Sequence, residues 1–363
     1  MNKILIITQN QFGYIIDHYK WAIYLKQIYS VTLNCWDYGR KKIYQDGVCV
    51  NYKLRKGNKI RRLIEFNIEQ LYHLKNNYNT VIIKYYFGCS LLNLTRKKNI
   101  ILDIRTGCVS KNRYNRYFQN AFLRIESFFF PNIIVISNSL AQVLRIANYH
   151  IVPLGGDLIE RERKQETFRL LYVGILSSRN IEITIMGVNE FIKRNEYYRD
   201  KVFYTIIGSG FGNEEQKLTA LVISLGLSDN ISLKGYISHG QIKEYFQKSD
   251  IGIAFIPIEE RYNFQPATKT YEYLLAGMPV LATKTHENKK IITEDNGVLI
   301  EDTVQSFEKG LSTIIENYES YDSEKIKRSK DCSTWDKIVT DSLIPFIKST
   351  SEDISFICKT KTD

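Results

Sequence analysis

Short apolar runs alternate with longer amphipathic stretches along the whole chain. Runs of about four to eight residues rich in Ile, Val and Leu are typical of strands buried in a parallel sheet, and apolar residues at helical spacing predict helices. In the first half the predicted strands are 3–8, 31–36, 48–52, 80–84, 99–103 and 133–137, and the predicted helices are 13–29, 60–76, 111–130 and 138–147. In the second half the predicted strands are 169–174, 202–207, 231–234, 250–256, 279–283 and 297–301. This alternation predicts an α/β fold built on parallel sheets.

The length of 363 residues corresponds to about two average domains. A charged run at 160–166 follows a glycine-containing turn and is the best linker candidate. We therefore predict a first domain at 1–157 and a second domain at 168–334, followed by a late helix at 335–349.

Composition indicates an ordinary globular protein, with 44% hydrophobic and 25% charged residues. Only four apolar residues follow the first lysine, which is too short for a signal-peptide core, and no run approaches the ~20 apolar residues of a membrane span. The six cysteines contain no Cys-x-x-Cys pair. Neither a zinc site nor a disulfide framework is expected, and reduced cysteines in a cytoplasmic protein are the simplest account.

Charge divides the chain unequally. Residues 1–150 contain 23 Lys and Arg against 7 Asp and Glu, a net charge of +16, whereas residues 151–363 contain 27 against 32, a net charge of −5. A basic first half suggests an anionic partner, such as a membrane surface, a diphosphate-bearing acceptor or nucleic acid. Because no nucleic-acid-binding signature is present, nucleic acid is not expected among the partners.

The segment 266–280 carries the clearest chemistry. Pro266 and Thr268 are typical of a helix start, and Gly277 is typical of a helix end. The free N–H groups at such a start favour phosphate, and Lys269 and Glu272 lie on one helix face because they are three residues apart. The alternative is an ordinary amphipathic helix with a surface Lys and Glu.

The order Pro-x-x-Lys-x-x-Glu-Tyr-x-x-Ala-Gly-x-Pro-Val closely resembles the donor-nucleotide motif of retaining glycosyltransferases of the GT-B fold, of the family 4 type. Four further segments resemble that family's strands, in family order, over roughly half the chain: 171–174, 206–210, 231–236 and 249–253. The resemblance implies two Rossmann-like parallel-sheet domains facing a cleft, with a C-terminal helix crossing back to the first domain.

The resemblance also implies roles for residues of the motif helix. Glu272 would accept hydrogen bonds from the donor ribose, and the backbone N–H groups of Ala267 and Thr268 would meet the diphosphate. The alternative for Glu272 is a solvated helix glutamate. The family's usual first glutamate is missing, since Phe264 stands in its place, and nearby Glu259 has the wrong spacing.

Strand ends of the second half supply the remaining donor contacts that the resemblance implies. These are Gly174, Gly208 and the main chain at Tyr236. For Gly208, which opens a Gly-x-Gly segment, a simple tight turn is the alternative.

A leaving diphosphate needs neutralising charge, and the sequence contains no Asp-x-Asp motif. The resembled family works without a divalent metal and uses Arg and Lys instead, so neither a metal nor a cofactor is expected. Ile175 stands where that family commonly has arginine. Arg179 and Lys269 are therefore the candidate catalytic cations, with ordinary surface cations as the alternative.

In the first half, Asp103 ends a predicted strand and Arg105 lies in the loop that follows it. Family members often have an acid or histidine near this place, so both residues are catalytic candidates. The alternative is an internal ion pair that fixes the loop. Gly13 resembles the family's glycine-containing donor loop, although the usual glycine pair is absent.

A stripe of large apolar residues follows helical spacing between 111 and 130, with four cations elsewhere on the same segment. Aromatic residues flanked by cations suit a helix that lies on anionic lipid. Core packing is the commoner explanation, and we expect most of the stripe to pack against its own sheet. The stripe comprises Tyr114, Tyr117, Phe118, Ala121, Phe122, Ile125, Phe128 and Phe129.

The sequence thus predicts a retaining, metal-independent hexosyltransferase that moves a sugar from a nucleotide-sugar to a lipid-linked or oligosaccharide acceptor. Surface polysaccharide assembly at the inner face of a membrane fits this prediction, with the protein cytoplasmic and peripheral. Two alternatives stay open. One is a sugar-nucleotide epimerase, and the other is a non-catalytic nucleotide- or glycan-binding protein of the same fold.

Overall fold

The computed structural model describes residues 1–95, 99–161 and 166–350. Two compact units are present. The first comprises Met1–Leu154 together with the described residues from Trp335 onward, and the second comprises Gly155–Thr334. Within the predicted linker, residues 162–165 lie outside the described residues. Arg161, near the start of the second unit, donates from its guanidinium to the carbonyl of Gly277 at 2.8 Å.

The described residues of the first unit form one parallel sheet of seven strands in the order β3-β2-β1-β4-β5-β6-β7. Its strands are β1 Lys3–Ile7, β2 Ser30–Asp37, β3 Val48–Leu54, β4 Thr80–Lys84, β5 Ile100–Ile104, β6 Asn132–Val135 and β7 Tyr149–Ile151. Its helices are α1 Ile16–Leu25, α2 Lys59–His73, α3 Arg113–Ser127 and α4 Asn138–Leu144, with a 3₁₀ helix at Cys89–Thr95. The central strands are buried on both faces, as in parallel sheets generally.

The second unit repeats this architecture. Six strands, counted over its described residues, form a parallel sheet in the order β10-β9-β8-β11-β12-β13. They are β8 Phe168–Val173, β9 Val202–Ile207, β10 Ile231–Leu233, β11 Ile251–Ala254, β12 Val280–Thr283 and β13 Gly297–Ile300. The helices are α5 Ile181–Arg194, α6 Glu214–Ser224, α7 His239–Gln247, α8 Glu260–Asn263, α9 Thr268–Leu275, α10 Val304–Glu316 and α11 Ser323–Arg328.

The predicted fold class of two parallel-sheet α/β domains is confirmed. Every predicted strand is present, and the short edge strand β7 was not predicted. Helix α1 is shorter than predicted at both ends. It begins only at Ile16 because Gly13 has a φ of 83°, which interrupts the predicted helix.

The late helix is part of the first unit's core. It begins at Trp335, contains a π-helical turn at Val339–Leu343 and continues to residue 350. Trp335 is 1% exposed, and it packs with Val339 and Leu343 in the cluster that also contains Trp21 of α1. None of the helices within the described ranges is long and apolar enough to cross a membrane.

We expect Trp335→Ala to destabilise the first unit by about 3–5 kcal/mol, because it removes a large side chain from a packed core. Urea unfolding followed by tryptophan fluorescence measures this directly. The chain has 3 tryptophans, at 21, 36 and 335, and all lie in the first unit. Tyr44→Ala is the control, since Tyr44 is 79% exposed, and its unfolding midpoint should stay within the error of the wild type. An unchanged midpoint for Trp335→Ala would contradict the assignment of this helix to the core.

Candidate functional site

Three neighbouring strands of the second unit end in glycine. Gly174, Gly208 and Gly235 follow β8, β9 and β10, with φ values of 153°, 151° and 62°. A Cβ atom on Gly208 would lie 1.7 Å from the carbonyl oxygen of Gly174, so no side chain fits there. The carboxyl edge of this part of the sheet is therefore bare backbone, and this edge is where open parallel sheets bind ligands.

Helix α9 presents its start without a side-chain cap. Its N-cap residue, Ala267, has extended backbone angles (φ −106°, ψ 124°) and no side-chain oxygen. The helix ends as predicted at Gly277 (φ 71°), where the N–H of Met278 donates to the carbonyl of Tyr273 at 3.0 Å. The first N–H groups of α9 are thus left to solvent or to an anionic ligand.

Close packing fixes α9 against the sheet. The hydroxyl of the fully buried Tyr273 accepts a hydrogen bond from the N–H of Val173 at 2.9 Å. Gly252 lies beneath this ring, and a Cβ there would meet its Cγ at 2.3 Å. A Cβ on Gly156 would lie 3.2 Å from the Cα of Glu272. The helix position, and with it the positions of Lys269 and Glu272, is therefore set by glycines that permit close approach.

Lys269 places its ammonium over an aromatic ring. The Nζ atom lies 3.6 Å from the ring centroid of Tyr172 and has no hydrogen-bond partner among the described residues. Burial holds the pKa of Lys269 well below its usual range, and the charge of Arg179 adds to this effect, while Glu272 opposes it. An anion beside Nζ would reverse the balance, so this lysine suits a phosphate.

Arg179 is held in place by a constrained loop. Its guanidinium carbon lies 4.0 Å from the ring centroid of Tyr262, whose hydroxyl donates to the carbonyl of Ser178 at 3.3 Å. Ser178 and Asn180 both have left-handed backbone angles, with φ of 57° and 52°. Such conformations of non-glycine residues cost about 1–3 kcal/mol each and concentrate at functional sites. The loop therefore holds the second predicted cation near Lys269.

The departures from the resembled family's pattern lie in the same unit. Ile175, where arginine is common, is 55% exposed. Phe264 packs beside His286, with ring centroids 4.8 Å apart. Glu259 forms a bidentate ion pair with Arg261, at 2.7 and 3.0 Å. Because that carboxylate is already paired, it is a poor substitute for the missing first glutamate.

Sequence reasoning missed the two tyrosines that hold the predicted cations. Tyr172 lies inside a strand and Tyr262 in a short helix, and both are buried. By its hydrophobic pattern alone, a buried tyrosine in such a position looks like an ordinary core residue. The position of Tyr172, two residues before Gly174, was the signal in the sequence, because it places the tyrosine ring near the end of the strand.

In the first unit, Asp103 and Arg105 are buried at 0% and 7% exposure. The carboxylate of Asp103 lies 2.8 Å from Nε2 of His18, and its other oxygen lies 3.9 Å from the guanidinium of Arg105. Arg105 donates to Asp17 at 2.8 Å and to the carbonyl of Val152 at 2.5 Å. The geometry agrees with the alternative in which these residues fix the loop, and a catalytic role for either stays a prediction.

Burial and pairing set the charges of this network. Burial opposes ionisation of Asp17, but the neighbouring Arg105 and His18 outweigh it and hold the carboxyl pKa below its usual value. Burial also lowers the pKa of His18, against the opposing effect of Asp103. Lys84 donates to Asn10 at 2.8 Å, and burial lowers its pKa as well. The sequence analysis did not identify His18 or Lys84, which lie far from Asp103 along the chain.

Gly13 lies in the loop before α1, where its positive φ rules out an ordinary side chain. A Cβ on Gly13 would meet Cδ1 of Ile43 at 2.3 Å.

In the second unit, Tyr236 is 54% exposed beside Gly235, near the end of β10. The donor roles predicted for Gly13 and Tyr236 stay predictions.

The expectation that the aromatic stripe of α3 packs against its own sheet is wrong. Tyr114, Tyr117 and Phe118 are 77%, 71% and 68% exposed, and Phe128 and Phe129 are also exposed. The buried positions of α3 are instead Leu123, Glu126 and Ser127. The stripe faces outward because the inner face is held by a polar contact, in which the carboxylate of Glu126 accepts the N–H groups of Gly88 and Ser90 at 3.1 Å.

Comparisons with known proteins agree with this architecture. Residues 159–330 match the family model of "Glycosyl transferases group 1". This match and the solved structures described next support a glycosyltransferase of the GT-B fold. No curated protein is similar enough in sequence to match the chain.

Solved structures resemble the chain over nearly its whole length at low identity. Sucrose-phosphate synthase from Thermosynechococcus elongatus is 14% identical, with a TM-score of 0.70 and 99% of each chain covered. HepE from Anabaena, in complex with UDP and glucose, is 13% identical, with a TM-score of 0.72 and 98% of this chain and 100% of that chain covered. WaaG, a glycosyltransferase involved in lipopolysaccharide biosynthesis, is 14% identical, with a TM-score of 0.70 and coverage of 97% and 99%. At such identities the likeness shows the fold.

We expect Lys269→Met to weaken binding of inorganic diphosphate without destabilising the second unit. Because the pKa of Lys269 is lowered on folding, the unfolded chain binds the proton more tightly, and the stability of the wild type rises with pH between the lowered pKa and about 10.4. The variant lacks this dependence, so it should equal or exceed the wild type at pH 7, with the difference narrowing towards pH 10. Calorimetric unfolding across pH measures this.

Lys309→Met is the matched control for this substitution, since Lys309 is exposed in the same unit. It should change neither the pH dependence nor diphosphate binding. A clear loss of stability in Lys269→Met at pH 7 would contradict a buried cation without a partner.

We expect Ala267→Asp and Ala267→Asn to stabilise the ligand-free protein by about 0.5–2 kcal/mol each, because both place a capping oxygen at the start of α9. Both should weaken diphosphate binding by occupying the same N–H groups, and Asp should weaken it more because its charge repels the anion. Thermal unfolding and titration calorimetry measure the two effects. Stabilised variants that bind diphosphate as the wild type does would place the anion elsewhere.

Proposed function

We propose that this chain transfers a hexosyl group from a nucleotide-sugar donor to a lipid-linked or oligosaccharide acceptor. The observation that carries the proposal is the juxtaposition of an uncapped helix start, a bare glycine edge and two cations over aromatic rings. Lys269 and Arg179 are the cations, and Ala267 begins the helix. Together these features suit a diphosphate joined to a sugar and a nucleoside.

The donor would lie along the carboxyl edge of the second unit's sheet. Its diphosphate would accept hydrogen bonds from the N–H groups of Ala267 and Thr268, and its ribose would donate to the carboxylate of Glu272. Gly174 and Gly208 leave backbone accessible for the donor. Support comes from the solved structures of HepE from Anabaena in complex with UDP.

Cleavage of the donor's sugar–phosphate bond leaves negative charge on the departing nucleoside diphosphate. Cations already positioned beside those oxygens stabilise that charge most strongly in the transition state. The diphosphate would favour the protonated form of Lys269, because the anion opposes the effect of burial on its pKa. The proposed reaction uses these two cations, proceeds with retention of configuration and needs neither a divalent metal nor a cofactor.

The proposed acceptor and location follow from the first unit. Its sequence is strongly basic, with a net charge of +16 over residues 1–150, and the aromatic stripe of α3 is exposed. Both features suit an anionic membrane surface and an acceptor carried on a lipid phosphate. We place the protein in the cytoplasm, peripheral to the inner face of the membrane, in surface polysaccharide assembly. WaaG, which shares the fold, is described as taking part in lipopolysaccharide biosynthesis.

One observation favours a non-catalytic binding protein as the second candidate. Asp103, the candidate catalytic acid of the first unit, is fully buried and lies 2.8 Å from His18. Such a protein would bind nucleotide or glycan without transfer or hydrolysis. Donor turnover in the presence of extracted acceptor glycolipid separates the two candidates.

We expect one of UDP, GDP, ADP or CMP to stabilise the wild type and to stabilise Glu272→Ala less. A ligand at 100 times its Kd adds about 2.7 kcal/mol to the folded state, which raises Tm by a few degrees. Thermal unfolding with each nucleotide and its common sugars measures the shift.

Glu316→Ala is the control, because Glu316 is exposed on α10 of the same unit and should leave the shift unchanged. A shift that persists in full in Glu272→Ala would remove the ribose role of Glu272. No shift with any nucleotide would count against the donor site as a whole.

A further inference from the structure

A cavity of about 490 Å³ lies in the first unit, apart from the buried network around Asp103. It is formed where β2, β3 and β4 end and where α2 begins. Trp36 and Tyr38 form part of its wall, and Arg55, Lys59 and Arg62 supply three cations. The combination of an aromatic wall and several cations favours an anionic ligand.

The cations of this cavity are not neutralised by the protein. None of the three is ion-paired with a carboxylate in the part of the chain that the structure describes. Arg55 lies with its guanidinium carbon 4.1 Å from the ring centroid of Tyr38, and Arg62 donates to the carbonyl of Asn58 at 3.3 Å. The neighbouring Arg61 differs, because it pairs with Glu65 at 2.6 Å and does not line the cavity.

The cavity opens onto an exposed apolar row of α2. Ile60 lines the cavity and is 71% exposed. Ile64, Ile68 and Tyr72 continue from it at intervals of four residues, with exposures of 53%, 61% and 68%. Residues four apart lie on one face of a helix, so the row forms a continuous apolar strip about three turns long.

A second apolar surface adjoins the cavity on the side of α3. Phe87 lines the cavity and stacks on Phe122 of α3, with ring centroids 4.2 Å apart. Leu91 and Leu94 of the 3₁₀ helix are 49% and 76% exposed. This helix contacts both α2 and α3, and the buried Glu126 of α3 accepts two hydrogen bonds from its Ser90 and one from Gly88 just before it. The cavity thus opens within a fixed apolar surface.

We propose that this cavity binds the headgroup of a phosphorylated amphiphile drawn from a bilayer. The phosphate lies among Arg55, Lys59 and Arg62, and the hydrocarbon lies along the α2 row that begins at Ile60. Charge complementarity selects this ligand. A soluble phosphate would gain nothing from the exposed apolar row, and a neutral apolar partner would gain nothing from three unpaired cations. The identification of this lipid as the sugar acceptor rests on the proposed function, but its binding does not.

The test uses the full chain without nucleotide-sugar, so the result is independent of the donor site. Binding is measured by flotation with phosphatidylcholine vesicles, with and without polyprenyl monophosphate. We expect binding only with the phosphorylated lipid, weakened roughly fivefold by Arg55→Gln and by Arg62→Gln. Arg61→Gln should bind as the wild type does. Tryptophan-detected unfolding confirms that each variant is folded.

Three outcomes would overturn the proposal. Equal weakening by Arg61→Gln would mean that diffuse positive charge, rather than the cavity, attracts the lipid. Unchanged binding by Arg55→Gln and Arg62→Gln would remove the cavity from the interaction. An Ile64→Ser variant should lose vesicle binding yet retain any binding of inorganic phosphate. If it keeps full vesicle binding, the hydrocarbon does not lie on the α2 row and the proposed orientation of the lipid is wrong.

Discussion

Close approach of α9 to the end of β8 is the constraint on which the second unit's site depends. The hydroxyl of Tyr273 accepts from the N–H of Val173 and fixes the helix, and Gly252 and Gly156 leave room for it. A side chain at Gly252 would meet the Tyr273 ring at 2.3 Å and push the helix away. Without this approach Lys269 would be an ordinary solvated cation, whereas here its ammonium lies against Tyr172 with a lowered pKa.

The two units handle charge in opposite ways. In the second unit, cations lie over aromatic rings at the ends of strands, so their charge is available to an anionic ligand. In the first unit, the buried carboxylates of Asp17 and Asp103 both face Arg105, and Asp103 also contacts His18. Some cations of the first unit that are not paired with carboxylates, Arg55 and Arg62 among them, line the cavity. Burial favours the pairing of opposite charges, whereas a cation beside an aromatic ring or at the surface can be left for a partner.

Exposed apolar surface is the second feature that distinguishes the first unit. Globular proteins seldom leave rows of large apolar side chains in water unless a partner covers them. Helices α2 and α3 each carry such a row. The hydrogen bonds that Glu126 accepts keep the intervening 3₁₀ helix in place. A rigid apolar surface has little conformational entropy to lose when it meets a bilayer.

Much of the fold could be predicted because local patterns carry it. Buried parallel strands are continuous apolar runs, and Gly277 ends α9 through its backbone geometry, so these elements were visible in the residues themselves. The motif from Pro266 to Val280 likewise identified the candidate donor helix. The short strand β7 was missed because three residues carry too little pattern.

Tertiary structure alone decided which side chains meet and which face water. The α3 stripe has the same spacing whether it faces the sheet or the solvent, and only the polar contact of Glu126 shows which face is buried. The pairing of His18 with Asp103 joins residues far apart in the chain, and the Tyr172 ring beneath Lys269 does the same. Sequence by itself determined the order of strands and helices and the chemistry available to the protein, because these depend on local periodicity and residue type. Burial, pairing and pKa depend on atoms brought together from distant segments, so only the folded structure could decide them.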